Sequence, residues 1–169
     1  MIYIVMGVSG CGKSTIGKML AIRLAMSFYD ADDFHSDNCI RKMENGIPLD
    51  DEDRKPWLFY LATLIAKWNR DKGAVLACSA LKEQHRKILS WDGKEDVAFI
   101  HLDGDKDIIF ERMRTRKDHF FPLGLLESQF NVLEVPLNAI NVQIDKAPED
   151  ICVEIINKLE SMELLQLKA

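Results

Sequence analysis

No two of the four cysteines, Cys11, Cys39, Cys78 and Cys152, stand close enough to form a CxxC pair, so neither a zinc site nor a disulfide framework is indicated. Glycine and proline are sparse, at 9 and 5 of 169 residues, which excludes collagen-like repeats and low-complexity linkers. No stretch approaches the roughly 20 apolar residues of a membrane span, so no membrane partner is expected. The short apolar start lacks the basic segment of a secretory leader, and with scattered thiols this predicts a reduced, cytoplasmic protein. Positive charge is not in surplus either. With 22 Lys+Arg against 27 Asp+Glu the net charge is −5, which argues against a nucleic-acid partner. What remains is an ordinary globular composition, 47% hydrophobic and 29% charged, suited to one domain over residues 1–169.

Apolar runs alternate with amphipathic stretches throughout. Those at 2–6, 27–29, 74–78, 97–102 and 139–144 are short and bounded by turn or polar residues, as strands covered on both faces should be. Between them the spacing predicts helices. One covers about 51–68, with Trp57, Leu58, Leu61, Leu64, Ile65 and Trp68 at helical intervals. Another, near the C-terminus, puts Ile151, Ile155, Ile156, Leu159 and Met162 on one face, with Pro148 in its first turn. Asp105 is placed to cap a helix running to about Arg116. Strands alternating with helices, joined by right-handed crossovers, imply an α/β fold with a parallel five-stranded sheet and helices on both faces. Two stretches look like mobile attachments to it: 35–50, rich in charge, and 112–136, which holds Arg112, Arg114, Arg116, Lys117 and His119.

Gly7-Val8-Ser9-Gly10-Cys11-Gly12-Lys13-Ser14 satisfies G-x-x-x-x-G-K-[ST] in full, after an apolar strand and at the head of a helix over about 14–26. The glycines let backbone N–H groups turn inward around phosphate oxygens, and the helix start adds partial positive charge. Lys13 should reach the β- and γ-phosphates of ATP, the Ser14 hydroxyl should ligate Mg²⁺, and Thr15 follows in the same cradle. Cys11 stands where these donors and Lys13 would lower a thiol pKa, although a small residue filling a variable position is the simpler account. Asp30-Ala31-Asp32-Asp33 closes the second strand, and period-two alternation puts Asp30 and Asp32 on one side. A carboxylate near Mg²⁺ (Asp30) and another taking a proton from a substrate hydroxyl (Asp32) would serve phosphoryl transfer to an alcohol. An acidic turn is otherwise a solvated cap, which is how Asp33 reads.

A phosphate loop followed by Asp-x-Asp resembles the small-molecule kinases related to shikimate kinase and the nucleoside monophosphate kinases. Further blocks narrow the resemblance. Asp30-Ala31-Asp32-Asp33-Phe34-His35, Arg41-Lys42-Met43, residues 46–58 (GIPLDDEDRKPWL), residues 77–82 (ACSALK), His119-Phe120-Phe121, Ser128-Gln129-Phe130 and Leu133-Glu134 resemble the signature blocks of the gluconokinase family. They run in order over nearly the whole chain.

That resemblance implies a three-layer P-loop kinase fold with a substrate-binding segment at about 35–58 and a mobile lid at about 112–136. It implies transfer of the ATP γ-phosphate to the 6-hydroxyl of D-gluconate, giving 6-phospho-D-gluconate for the pentose phosphate pathway. Mg²⁺ and commonly a homodimer come with it. Asp32 matches the carboxylate that contacts substrate, and Arg54 is placed to pair the gluconate carboxylate bidentately, unless a salt bridge to Asp50, Asp51 or Asp53 holds it. Ser79 and Lys82 either hydrogen-bond substrate hydroxyls or phosphate, or cap the next helix, while Trp57 reads as core. Arg112, Met113, Arg116 and His119 match the start of the lid, with Arg112 assigned to the nucleotide, Arg116 to the moving phosphoryl group and His119 to the substrate. Asp118 stands where the family usually has glycine, which leaves lid closure open. The competing functions are a kinase of another polyhydroxy acid or of shikimate, and a nucleotide-binding sensor without turnover. Intact Lys13, Ser14, Asp30 and Asp32 argue against the sensor.

Overall fold

Strand β1 (Ile2–Met6) is buried at every residue, because it lies in the middle of a sheet covered on both faces. Its side chains divide by the pleat of the strand. Ile2, Ile4 and Met6 enter one apolar cluster, Tyr3 and Val5 the other. The computed structural model describes residues 1–115 and 123–166. In it β1 is followed by α1 (Lys13–Arg23), β2 (Ser27–Asp30), a 3₁₀ turn (Ala31–Phe34), α2 (Asp37–Glu44), α3 (Asp51–Arg70), β3 (Ala74–Ala77), α4 (Glu83–Leu89), β4 (Val97–Asp103), α5 (Lys106–Thr115), α6 (Leu123–Val132), β5 (Ile140–Gln143) and α7 (Pro148–Gln166).

The strands pair in the order β2-β3-β1-β4-β5, all parallel. On one face Trp57, Leu58, Leu61, Ile65 and Trp68 of α3 pack with Leu89 of α4 against Ile4 and Leu76. The other face is covered by Ile16 and Leu20 of α1, Ile109 and Met113 of α5, Leu126 of α6, and Ile151 and Ile155 of α7. The predicted three-layer α/β architecture is therefore the observed one. In such sheets ligands gather at the carboxyl ends of the strands, where the order changes direction. Here that point is the end of β1, flanked by β3 and β4.

Local signals set the helix boundaries. Asp50 and Asp53 form a reciprocal capping box at the start of α3: Asp53 N donates to Asp50 Oδ1 at 2.8 Å and Asp50 N to Asp53 Oδ2 at 3.2 Å. Asp105 caps α5, accepting from Asp107 N at 2.8 Å. The charged stretch at 35–50 is not structureless: Ser36 accepts from Cys39 N at 3.3 Å and starts α2, which buries Cys39. Met162 departs from its predicted face and is 46% exposed, since α7 runs past the core after Leu159. β2 is only half covered because it is an edge strand, not a central one.

Leu61 is fully buried between α3 and the sheet. Leu61→Ala should cost about 2–5 kcal/mol, the sum of lost burial and a partly unrelaxed cavity. Urea unfolding measures it, and a loss under about 1 kcal/mol would contradict this packing.

Candidate active site

The phosphate loop turns on glycines with positive φ. Gly7 (φ 140°) leaves no room for a Cβ, which would stand 2.9 Å from both Cys11 Sγ and Leu102 O; Gly12 (φ 102°) occupies the N-cap of α1. Neighbouring strand ends brace the loop. Gly7 N donates to Ser79 O at 3.3 Å, and Cys78 N to Val5 O at 3.0 Å. The Lys13 ammonium folds back over the loop and donates to Val8 O at 3.0 Å. Ser14 Oγ donates to Asp30 Oδ2 at 2.6 Å, so a hydroxyl from α1 and a carboxylate from β2 meet beside the helix start. These are two hard oxygens where phosphates would lie. That donor set fits Mg²⁺, which takes one or two protein oxygens and completes its shell with phosphates and water.

Asp30 also accepts from Asp32 N at 3.2 Å, and this tight turn swings Asp32 into a cavity. Ser9, Lys13, Asp32, His35, Arg54, Trp57, Ser79 and Gln129 are among the residues that line it. The Asp32 side chain opens to the cavity, 76% exposed. The protein around that cavity still raises its carboxyl above the usual range, while the Lys13 ammonium pulls it back and the Asp30 carboxylate adds to the rise. Desolvation is the largest cause of the rise, tempered by solvent in the open cavity.

Two contacts of the Trp57 indole hold the opposite wall. Trp57 Nε1 donates to Ala31 O at 2.9 Å, and the indole stacks on His35 at 4.2 Å between centroids. The His35 side chain is 5% exposed, its Nε2 is 3.7 Å from Asp32 Oδ1, and its Nδ1 is buried with no partner among the described residues. Burial lowers its pKa, with Asp32 opposing and Arg54 adding to the drop. Arg54 lies one helical turn before Trp57. Burial lowers its pKa as well, against the pull of Asp51, Asp50 and Asp53. None of those carboxylates forms an ion pair with the Arg54 guanidinium among the described residues, so the predicted alternative of a salt bridge is not what holds it. Asp53 pairs with Lys42 at 2.6 Å, and Asp51 with Lys82 at 2.7 Å.

Several expectations change. Lys82 does not reach the cavity; its ammonium is turned to Asp51, and its backbone opens α4, which is the capping alternative. The Cys11 thiol is raised, not lowered, because complete burial outweighs Lys13 and the loop amides. Trp57 is core, and it is also cavity wall. Arg112 lies in a second cleft with Gly10, Cys11, Gly12 and Thr15, on the outer side of the phosphate loop, and donates to Ile144 O at 2.6 Å. Arg116, His119 and Asp118 lie outside the described residues, as does part of the proposed lid. Reasoning from the sequence gave no role to His35 or Gln129. The only signal for either was its place inside a signature block.

A phosphate loop at the switch point, an Mg²⁺-suited hydroxyl–carboxylate pair and, beside them, a cavity holding a carboxylate and a guanidinium without an ion pair among the described residues define a P-loop kinase of small molecules. The family model described as Shikimate kinase matches residues 9–159. The chain is 42% identical over 182 residues to the protein named "Probable gluconokinase" of Mus musculus, covering 94% of this chain and 97% of the relative. It is 39% identical over 165 residues to the thermoresistant gluconokinase of Escherichia coli K12, covering 93% and 94%. A solved gluconokinase from Sinorhizobium meliloti 1021 superposes with a TM-score of 0.87 at 35% identity, covering 99% and 97%. The chain belongs to the gluconokinase family, within the shikimate kinase group of P-loop kinases.

His35 and His85 are both held below the ordinary imidazole value of 6.5, chiefly by burial. The unfolded chain therefore takes up protons below about pH 6.5 before the folded chain does. Stability is fully present above that value and falls as pH drops towards the folded imidazole values. The urea midpoint should fall between about pH 7.5 and 5.5, and His85→Gln, which keeps a donor for Asp51, should shrink that fall. A midpoint that holds or rises on acidification contradicts the assignment.

Proposed function

We propose that this chain transfers the γ-phosphoryl group of ATP to the 6-hydroxyl of D-gluconate, giving 6-phospho-D-gluconate and ADP. The observation that carries this reading is the cavity in which Lys13, Asp32 and Arg54 converge beside the phosphate loop. A sugar acid offers what those groups recognise: a carboxylate at one end and a primary hydroxyl at the other.

In this reading the loop amides and Lys13 bind the triphosphate, the ammonium leaving Val8 O for phosphate oxygens. Ser14 and Asp30 would hold Mg²⁺, which would supply charge neutralisation to the triphosphate. Arg54 binds the gluconate carboxylate bidentately and fixes the substrate's direction. Asp32 accepts the proton of the 6-hydroxyl as its oxygen bonds to the γ-phosphorus and the bond to the ADP oxygen breaks. Its raised pKa suits a group that must take a proton and release it again. Ser79 contributes a hydroxyl to the acceptor, and Arg112 lies against the nucleotide on the other side of the loop. Arg116 and His119 enter as lid groups that exclude water, act on the transferring phosphoryl and meet the substrate. A cytoplasmic homodimer completes the proposal. No helix among the described residues is long and apolar enough to cross a membrane.

The test is coupled ADP release with Mg²⁺ and ATP over gluconate, other sugar acids, shikimate and nucleoside monophosphates. Turnover confined to gluconate is expected; turnover with shikimate alone would reassign the cavity, and no turnover with any acceptor would leave a sensor. Asp32→Asn should lower kcat by about 10²–10⁴-fold, and an unchanged kcat would remove the base assignment. Arg54→Ala should raise the KM for gluconate by about 10-fold or more with little change in that for ATP, since a charged hydrogen-bonded contact contributes about 1.5–3 kcal/mol.

A further inference from the structure

Helix α6 brings Ser128 and Gln129 to the acceptor cavity from a part of the chain far from the other groups. Gln129 Oε1 accepts a hydrogen bond of 2.7 Å from Ser9 N, the third residue of the phosphate loop. The helix behind it is fixed. Leu126 is fully buried, Phe130 and Leu133 pack against the core, and Glu127 pairs with Lys106 of α5 at 3.0 Å. Gln129 therefore projects from a helix packed on the core, not from a free loop.

The bond to Ser9 settles which way the amide points. A backbone N–H can only donate, so the atom facing it is the oxygen, and the NH₂ must occupy the other branch. That NH₂ brings two donors to a residue that lines the same cavity as Asp32, His35, Arg54 and Ser79. Among the described residues Gln129 Nε2 has no hydrogen-bond partner. A fixed donor facing a cavity, held by the loop that cradles phosphate, is suited to an oxygen of the acceptor close to where transfer occurs.

We propose that Gln129 is a specificity-determining substrate contact: its amide bridges the phosphate loop and the acceptor, presenting Nε2–H to a hydroxyl or carboxylate oxygen of a polyhydroxy acid. The inference rests on the kinase reading above and deepens it. Arg54 recognises the carboxylate end through charge, whereas Gln129 recognises an oxygen through direction. A site built to donate to a substrate oxygen discriminates strongly against an analogue that lacks it, because the donor is then left unpaired. The same bond ties the seating of α6 to the conformation of Ser9, so the acceptor is read by a group already in register with the phosphate loop.

Gln129→Glu isolates the claim. It keeps an oxygen for Ser9 N–H, and so retains any purely structural role, while replacing the donor by a negatively charged acceptor. The KM for gluconate should rise by about 10- to 100-fold, with that for ATP within about 2-fold, as expected for loss of a hydrogen bond to a charged or strongly polar group. Gln129→Met, close in shape but without either hydrogen bond, should raise the gluconate KM as well and should narrow the preference for gluconate over analogues lacking single hydroxyls. Thermal midpoints within a few degrees of wild type check folding for both variants. A gluconate KM within about 2-fold of wild type in Gln129→Glu overturns the inference while leaving the kinase reading intact. So does an ATP KM that moves as far as the gluconate KM, since the helix would then sense nucleotide. A wild-type chain idle on every acid in the panel overturns both.

Discussion

Helix α3 is joined to the turn after β2 by the buried hydrogen bond from the Trp57 indole to the Ala31 carbonyl, 2.9 Å long, and the acceptor cavity takes its shape from that bond. On one side of it Asp32 stands in a turn that Asp30 closes. On the other, Arg54 precedes Trp57 by one helical turn, so the guanidinium and the carboxylate are set at a fixed separation by a single indole. The stacking of Trp57 on His35 continues the same contact into the cavity wall. An unpaired buried carbonyl or indole N–H would cost about 1–3 kcal/mol, so the two elements cannot drift apart without a substantial penalty.

The charges around Arg54 are sorted in the same economical way. Three acidic residues crowd the first turn of α3, where the helix dipole favours them, and any of them could in principle capture the arginine. Instead Lys42 takes Asp53 and Lys82 takes Asp51, with Gln84 and His85 also directed at Asp51. Exposed pairs of this kind contribute little to stability. Their effect here is on availability: the lysines occupy the local carboxylates and leave the guanidinium facing the cavity. Lys82 is thus held by Asp51 and turned away from the cavity.

Much of this was legible from the sequence because it depends on period and motif. β1 was located to the residue, the phosphate loop in full, and Asp30 and Asp32 at the correct strand end, since burial on both faces and alternation leave few options. What escaped depends on three-dimensional neighbours that spacing does not encode. Lys82 and Arg54 both sit near acidic residues in sequence, and only the packing of α4 on α3 decides which cation goes where. The Cys11 thiol lies among donors, yet its complete burial decides its pKa. Gln129 is 120 residues from Ser9, and no local pattern announces that contact. Trp57 carried an apolar signal that was correct and incomplete, because an indole has a polar edge as well as a hydrophobic face.

The strand order also carries a consequence in time. β1 and β2 lie close in the chain but are not neighbours in the sheet, for β3 is inserted between them. Ser14 and Asp30, both within the first 30 residues, are therefore brought to 2.6 Å only by a strand that begins at Ala74. A nascent or refolding chain has its phosphate loop and its carboxylate early, without a frame to hold them together. Pairing across such separations is a slow part of folding. The hydroxyl and carboxylate beside the phosphate loop thus come together only with closure of the central sheet, and the empty slot between β1 and β2 is the stage at which an incomplete chain has no site at all.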